Sequence, residues 1–216
     1  MRRVLWLSFV FGIGPLLAED VVKFDTPEVR VLKVTDMPGK KSAMHTHTTN
    51  RVMIFLDDGQ MTLTNAQGER QHVRWRAGEV RWSPAGGPHT SENAGRTPYR
   101  IVEVELKNSA GGVLPETPLD PVLVDPKRYK VEFENPQVRV LRARYGPREA
   151  GVLHEHVLNR VVVLLTHQDM KVTSADGKAI ENRGEPGDVT MGGPAKHREE
   201  NLSDRPFEVA VVEIKR

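Results

Sequence analysis

Two pairs of histidines in this chain have the same spacing and the same neighbours. His45 and His47 form one H-x-H pair, His154 and His156 form the other, and the tripeptide Asn-Arg-Val begins three residues after each pair. Residues two apart in a β-strand point to the same face, so each pair aims two imidazoles at one place. Imidazole nitrogen is a common metal ligand. With the later histidine of each half, the sequence predicts two metal sites: His45, His47 and His89; and His154, His156 and His197.

The histidine pattern belongs to a longer internal repeat. An offset of 109 residues superimposes the two H-x-H pairs and aligns Arg51 with Arg160, and the offset falls to 108 before His89 aligns with His197. A Gly- and Pro-rich stretch without apolar periodicity separates the two copies. We therefore expect a tandem arrangement with the following bounds: a first domain at 24–108, a linker at 109–125 and a second domain at 126–216.

Each copy has the pattern of an all-β unit. Short segments rich in Val, Ile, Leu and Thr, such as residues 51–56, 99–106 and 160–165, end at glycine- or proline-containing turn signals. No long segment with helical periodicity occurs between residues 24 and 216. Many short strands at close, regular spacing predict a β-sandwich or barrel.

The glycines and histidines together resemble the motifs of the cupin superfamily. In the first copy, Gly39-x5-His45-x-His47 is similar to the first cupin motif, and Gly78-x5-Pro84-x-Gly86-x2-His89-x3-Asn93 has every signature residue of the second. The second copy is looser, with the His one residue nearer to the Gly. The resemblance covers residues 24–216 and implies a bicupin, an all-β protein of two tandem jelly-roll barrels.

One position departs from the pattern of metal-binding cupins. Those proteins have a glutamate ligand four residues after the second histidine, and this chain has Arg51 there in the first copy and Arg160 in the second. A guanidinium has no lone pair to give a metal, but it binds carboxylates in a forked geometry. We therefore expect Arg51 and Arg160 to bind an anionic substrate. The cupin thiol dioxygenases are similar in this respect, with three histidines, no glutamate ligand and an arginine for the substrate carboxylate.

Two interpretations of the site stay open at this point. In one, three histidines hold Fe, Mn, Ni or Zn and the arginine binds a small anionic organic molecule. In the other, the arginine excludes a metal, and the polar pocket takes an anion or a sugar-like ligand. The complete set of three histidines favours metal binding in the first copy. For the second copy, binding and no binding of a metal stay equally open. Glu199, two residues after His197, fits a fourth ligand by strand alternation, but its charged neighbours at 196–200 favour a surface carboxylate.

Three functions match these interpretations. The first is a metal-dependent, dioxygenase-like oxidoreductase. The second is a non-enzymatic cupin module that binds a sugar or an organic acid. The third is a metal-free structural protein whose barrels associate, for example as a homodimer. The sequence offers no pair of residues spaced for acid–base hydrolysis, which favours redox chemistry or binding.

Composition narrows the partners and the ligand types. The chain has 216 residues, a formal net charge of +2 and 28% charged residues of both signs. Without a basic run, we expect no nucleic-acid partner. The chain has no cysteine, so it forms no disulfide and no thiolate metal site.

The N-terminus predicts export. Arg2 and Arg3 precede an apolar stretch at 4–17, which ends at Ala18 before two acidic residues. A basic start, a short apolar middle and a small residue at the cut are typical of a secretory signal peptide. We expect residues 1–18 to be removed after Ala18 and the mature protein to be secreted or periplasmic, with no membrane span after cleavage.

Overall fold

Strands dominate the part of the chain that the computed structural model describes, residues 20–108 and 110–215. The predicted signal peptide lies outside the described residues. No helix among the described residues is long and apolar enough to cross a lipid bilayer. The strands of the first half are β1 (Val21–Asp25), β2 (Val29–Asp36), β3 (His45–His47), β4 (Asn50–Phe55), β5 (Gly59–Asn65), β6 (Arg70–Trp75), β7 (Val80–Ser83), β8 (Gly86–Asn93) and β9 (Tyr99–Leu106).

The second half follows a four-residue helix, α1 (Pro121–Val124). The Asp120 carboxylate accepts a hydrogen bond from the backbone of Val122 and caps this helix. The strands of this half are β10 (Tyr129–Glu134), β11 (Val138–Tyr145), β12 (His154–His156), β13 (Arg160–Leu164), β14 (Gln168–Ser174), β15 (Ala179–Gly184), β16 (Val189–Gly192), β17 (Ala195–Asn201) and β18 (Phe207–Ile214).

The two halves have the same sheet topology. The first half forms a five-stranded sheet β1-β2-β9-β4-β7 and a four-stranded sheet β3-β8-β5-β6. The second half repeats these orders as β10-β11-β18-β13-β16 and β12-β17-β14-β15. The strands of these sheets pair antiparallel throughout the described residues, as in jelly-roll barrels. The prediction of an all-β fold with two tandem cupin barrels is therefore confirmed.

The five-stranded sheets are apolar on both faces because each packs on two cores. On β4, Val52 and Ile54 belong to a core shared with Val161 and Val163 of the other half. The alternate residues of β4 point into the first barrel, where Phe55 stacks on Trp75. Because both faces of such a strand are buried, consecutive residues are apolar. A strand with one buried face would instead alternate apolar and polar residues.

Two asparagines join the barrels at the ends of the shared core. The Asn50 side chain donates to the side chain of Gln137, and Asn159 donates to Glu28 over 2.8 Å. Glu28 and Gln137 are equivalent in the internal repeat, as are Asn50 and Asn159. The two hydrogen bonds are therefore equivalent contacts, one donated by each barrel to the other. These contacts give the two asparagines a structural role between the barrels.

Candidate metal centres

The first histidine triad (His45, His47 and His89) lies inside the first barrel. β3 carries His45 and His47, and β8 places His89 opposite His45 in the antiparallel register. The Nε2 atoms of His45 and His47 are 3.1 Å apart, and the His45 and His89 rings have centroids 4.6 Å apart. The structure thus brings together the three histidines that the sequence grouped.

Backbone carbonyls orient two of these rings. His45 Nδ1 lies 2.9 Å from the Ala43 carbonyl oxygen, and His89 Nδ1 lies 3.0 Å from that of Gly87. A carbonyl oxygen only accepts hydrogen bonds, so Nδ1 carries the proton and Nε2 keeps its lone pair. Both Nε2 atoms are therefore free to act as ligands.

Arg51 is hydrogen-bonded to one imidazole of the first triad, that of His47. Its Nη1 donates to His47 Nε2 over 2.8 Å and to Glu103 Oε2 over 2.9 Å, and Nη2 donates to the Ser83 hydroxyl over 3.1 Å. Burial, together with the Arg51 charge, lowers the pKa of His47 to about 3. The neutral ring accepts from Arg51 through the lone pair that a metal ion requires, and a cation stands beside the triad.

Sequence reasoning missed Glu103, the carboxylate that neutralises Arg51. Glu103 lies on β9 beside β4, is 8% exposed, and burial raises its pKa. The signal available in the sequence was an acidic residue between two valines, at an inward position of the strand. Its partner follows from the pairing of two strands about fifty residues apart, which local patterns do not specify.

The second histidine triad (His154, His156 and His197) is more deeply buried than the first. β12 and β17 pair so that His154 lies opposite His197, and all three side chains are buried. His154 Nδ1 lies 3.0 Å from the Val152 carbonyl oxygen. His156 Nδ1 donates to Glu213 Oε1 over 2.6 Å. Such a carboxylate partner fixes the ring of a metal-binding histidine and leaves Nε2 for the metal.

Glu199 adds a carboxylate to the second triad. The interpretation of this residue as a surface carboxylate is wrong: it is 9% exposed, because strand alternation places it on the same inner face as His197. Its Oε1 lies 2.9 Å from His197 Nε2, and its Oε2 lies 3.5 Å from His154 Nε2. Burial raises the pKa of Glu199, but the His197 hydrogen bond and neighbouring histidine charges outweigh it and lower the pKa to about 2. The carboxylate is therefore ionised, and His197 Nε2 donates its proton to Oε1, so a metal ion bound at this nitrogen would take the place of that proton.

Arg160 differs from Arg51 in its partners. Among the described residues, no carboxylate lies within ion-pair distance of Arg160, whose Nη1 donates to the Gly193 carbonyl oxygen. The residue equivalent to Glu103 in the second barrel is Val211. The second barrel therefore has a carboxylate in contact with the histidines and an arginine that is not paired with a carboxylate, whereas the first barrel pairs its arginine with Glu103.

A cavity opens onto each triad. The first, of about 730 Å³, is lined by His45, His47, His89, Arg51 and Glu103 among others. The second, of about 680 Å³, is lined by His156, His197, Arg160 and Glu199, by apolar side chains of β13, β14 and β18, and by Lys23 from β1 of the other barrel. Both arginines predicted to bind substrate thus face the cavities that contain the histidines. Their roles stay predictions, as does metal binding by the histidines.

The chain is similar in sequence to known proteins over part of its length. A family profile described as a cupin domain matches residues 32–105. The β-alanine degradation protein BauB of Pseudomonas aeruginosa is 32% identical over 90 residues, which cover 42% of this chain and 94% of that protein. The match therefore spans nearly the whole relative and less than half of this chain.

Solved structures resemble the chain over both barrels. AerE from Microcystis aeruginosa has a TM-score of 0.64 at 10% identity, covering 93% of this chain and 98% of that one. Oxalate decarboxylase from Bacillus subtilis has a TM-score of 0.60 at 14% identity, covering 92% and 72%. A cupin 2 conserved barrel domain protein from Leptotrichia buccalis has a TM-score of 0.59 at 13% identity, covering 93% and 90%. At these identities the similarity is one of fold.

Proposed function

The chain belongs to the cupin superfamily, and from this premise we propose that its second barrel binds a divalent metal ion together with a small anionic organic molecule. The observation that carries the proposal is that the ligand atoms of His154, His156 and His197 lie close enough together to hold one ion, with the carboxylate of Glu199 against His197 and His154. Buried imidazoles and carboxylates are costly to desolvate unless they are paired or bind a metal. Four such groups on one inner face fit a metal site.

The donor atoms limit the choice of ion. Three imidazole nitrogens and one carboxylate oxygen suit Fe, Mn, Ni or Zn, and the chain offers no thiolate that would select a softer ion. The oxalate decarboxylase with the same fold has Mn(II) centres, which makes Mn(II) the first ion to test. A divalent ion held by these residues would act as a Lewis acid toward an oxygen atom of a bound ligand.

The first barrel is the weaker candidate for metal. Arg51 donates to the Nε2 atom of His47, and the nearby carboxylate of Glu103 is already paired with that guanidinium. A metal ion there would have to displace the Arg51 contact and tolerate its charge at short range. The sequence alone favours metal binding in the first barrel, whereas the contacts of Arg51 and Arg160 in the structure favour metal binding in the second.

The second cavity is suited to an anionic ligand. Arg160 and Lys23 bring positive charge to it, and Arg160 has no carboxylate partner among the described residues. The guanidinium can bind a ligand carboxylate through two parallel hydrogen bonds. The apolar side chains of Val162, Val209 and Val211 line the rest of the cavity. We propose that the ligand is a small organic acid with an apolar portion.

Dioxygenase-type oxidation is the reaction that this set of residues favours. A redox-capable ion held by histidines, with a cation beside it for an anionic substrate, is sufficient for that chemistry without an acid–base pair. A non-enzymatic organic-acid binding module requires the same contacts. Oxygen consumption by the metal-loaded protein in the presence of small carboxylic acids separates the two functions.

Metal content measured on matched variants tests the proposal. The purified protein is stripped with a chelator, reloaded with Mn(II), and analysed by elemental mass spectrometry. The wild-type chain should keep one tightly bound equivalent; His156→Ala should lose it, and His47→Ala, the equivalent change in the first barrel, should keep it. A wild-type chain without bound metal, or metal lost only in His47→Ala, would contradict the assignment.

Export is a separate part of the proposal and is supported by the N-terminal sequence. The apolar stretch at 4–17 after two arginines is followed by Ala18. Expression of the full chain in a bacterial host should yield a periplasmic or extracellular product whose N-terminus is Glu19. A full-length product retained in the cytoplasm would refute export.

A further inference from the structure

Two buried tyrosines hold one oxygen of Glu199. The Tyr129 hydroxyl donates to Glu199 Oε2 over 3.1 Å, and the Tyr145 hydroxyl donates to the same oxygen over 2.9 Å. Both tyrosines are at most 2% exposed. A phenylalanine would fill the same volume without a hydroxyl that must be satisfied in the interior. Core packing alone therefore does not explain why tyrosine stands at both positions.

The internal repeat shows that these residues occur as a set. The first-barrel equivalents of Tyr129, Tyr145 and Glu199 are Asp20, Asp36 and Ser91. The first barrel thus lacks the carboxylate beside its third histidine, and it lacks both tyrosines as well. The tyrosines are found only in the barrel in which a glutamate requires them.

Gly151 belongs to the same set. A Cβ atom at this position would lie 2.6 Å from the Tyr145 hydroxyl oxygen, so only glycine leaves room for the phenol. Its equivalent in the first barrel is Ser42, and the equivalent of Tyr145 there is the smaller Asp36. The equivalence is exact in the backbone, since Gly151 N donates to Glu199 O and Ser42 N donates to Ser91 O, over 2.8 and 2.7 Å. The two tyrosines, the glutamate and the glycine that leaves room for Tyr145 therefore distinguish the second barrel from the first as a set.

We propose that Tyr129 and Tyr145 are positioning residues, which hold the Glu199 carboxylate toward the second histidine triad and raise the metal affinity of that barrel. The inference rests on the proposed metal site. With Oε2 bound by two phenols, Oε1 is held at His197 Nε2. A glutamate without these partners must lose its side-chain freedom each time it binds an ion. Tyr129 also lies 3.3 Å from His154 Nε2, so one hydroxyl is in contact with two of the predicted ligands.

The test measures Mn(II) binding to the full chain and to its Tyr→Phe variants. Free Mn(II) is followed by its electron paramagnetic resonance signal during titration of metal-free protein. Tyr129→Phe with Tyr145→Phe should weaken binding by about 10- to 100-fold, the range for partners of metal ligands. Gly151→Ala, which crowds Tyr145, should weaken binding in the same direction. Tyr99→Phe, at a buried tyrosine of the first barrel, is the matched control and should leave the affinity unchanged.

A background without the glutamate separates positioning from general packing. In Glu199→Gln, the Tyr→Phe changes should alter Mn(II) affinity by less than about twofold, since coupled residues lose their effect when the partner is removed. The resonance spectrum of bound Mn(II) should also change shape in the Tyr→Phe variants, whereas a loss of packing would lower only the thermal stability of the metal-free protein.

The possible outcomes distinguish this inference from the function on which it rests. If the wild-type chain binds no Mn(II), the proposed metal site is refuted and the inference with it. If the wild type binds Mn(II) and the Tyr→Phe variants bind it equally well, or lose affinity equally in the Glu199→Gln background, only the positioning role is overturned.

Discussion

Arg51 and Glu103 form a buried ion pair inside the first barrel, with Nη1 and Oε2 2.9 Å apart, and neither side chain is more than 11% exposed. The pair joins two neighbouring strands, β4 and β9, of the five-stranded sheet. In the second barrel the equivalent residues are Arg160 and Val211, so the arginine is retained and the carboxylate is absent. This single difference separates a barrel with internally compensated charge from one that can offer its arginine to a ligand.

Breaking the Arg51–Glu103 pair should destabilise the first barrel. Glu103→Leu leaves a buried guanidinium without its carboxylate, and the free energy of unfolding should fall by about 3 kcal/mol. Combining it with Arg51→Met removes both charges and should recover most of that loss. Urea denaturation of the metal-free protein measures both values. Glu79→Gln, in the exposed Arg81–Glu79 pair, serves as control and should change stability by less than about 0.5 kcal/mol. A double variant less stable than Glu103→Leu would refute the pairing argument.

Local patterns predicted the parts of the site that depend on strand alternation. The spacing of His45 and His47 was enough to place both imidazoles on one face, and the repeat extended this to His154 and His156. The same alternation applied to Glu199, but its charged neighbours argued for solvent. Those neighbours, Arg198 and Glu200, do point outward or lie partly exposed while Glu199 points inward. For the burial of Glu199, the two-residue alternation of the strand was therefore a better predictor than the charge of the neighbouring residues.

The residues that sequence reasoning missed are those fixed by contacts between distant strands. Glu103 meets Arg51 through the pairing of β9 with β4, and the hydroxyls of Tyr129 and Tyr145 reach Glu199 from β10 and β11. The aromatic and apolar residues of these strands are explained equally well by packing alone. Their polar partners depend on the register of the sheet and on which residues meet across the barrel, and neither is readable from one segment.

Acid should destabilise the metal-free protein through His156. Burial lowers the pKa of His156 to about 4, although Glu213 opposes the shift, while the unfolded chain has the ordinary value of about 6.5. Between these values the unfolded state binds more protons, so the free energy of unfolding falls as the pH falls. The slope contributed by this histidine is at most about 1.4 kcal/mol per pH unit.

Denaturation of the metal-free chain from pH 7 to pH 4 measures that slope. His156→Leu should flatten the dependence in this window. His167→Gln, at a half-exposed histidine paired with exposed Glu185, should leave it as in the wild type. A His156→Leu variant with the wild-type slope would show that this ring is not held neutral by the fold.

The shared core should make the two barrels unfold together. Ile54 is fully buried in the cluster that contains Val161, Val163 and Val212 of the other barrel. Ile54→Ala should cost about 3 kcal/mol by loss of burial and cavity formation. Because the cavity lies between the barrels, calorimetry should show one transition that moves as a whole. Two separated transitions, with only one of them shifted, would indicate that the barrels are independent.

The charge difference between the barrels predicts which arginine binds an anionic ligand. Acetate and butyrate, titrated calorimetrically into the Mn(II)-loaded protein, should bind the wild type and should bind Arg160→Met at least about tenfold more weakly, as expected for loss of a charge-assisted hydrogen bond. Arg51→Met should retain the wild-type affinity because Arg51 is already paired with Glu103. Arg160→Lys keeps the charge but loses the forked geometry, and it should fall between the wild type and Arg160→Met. Equal loss in Arg51→Met and Arg160→Met would show that the Glu103 pair does not withhold Arg51 from the ligand. Loss in Arg51→Met alone would place the anion in the first barrel and reverse the assignment.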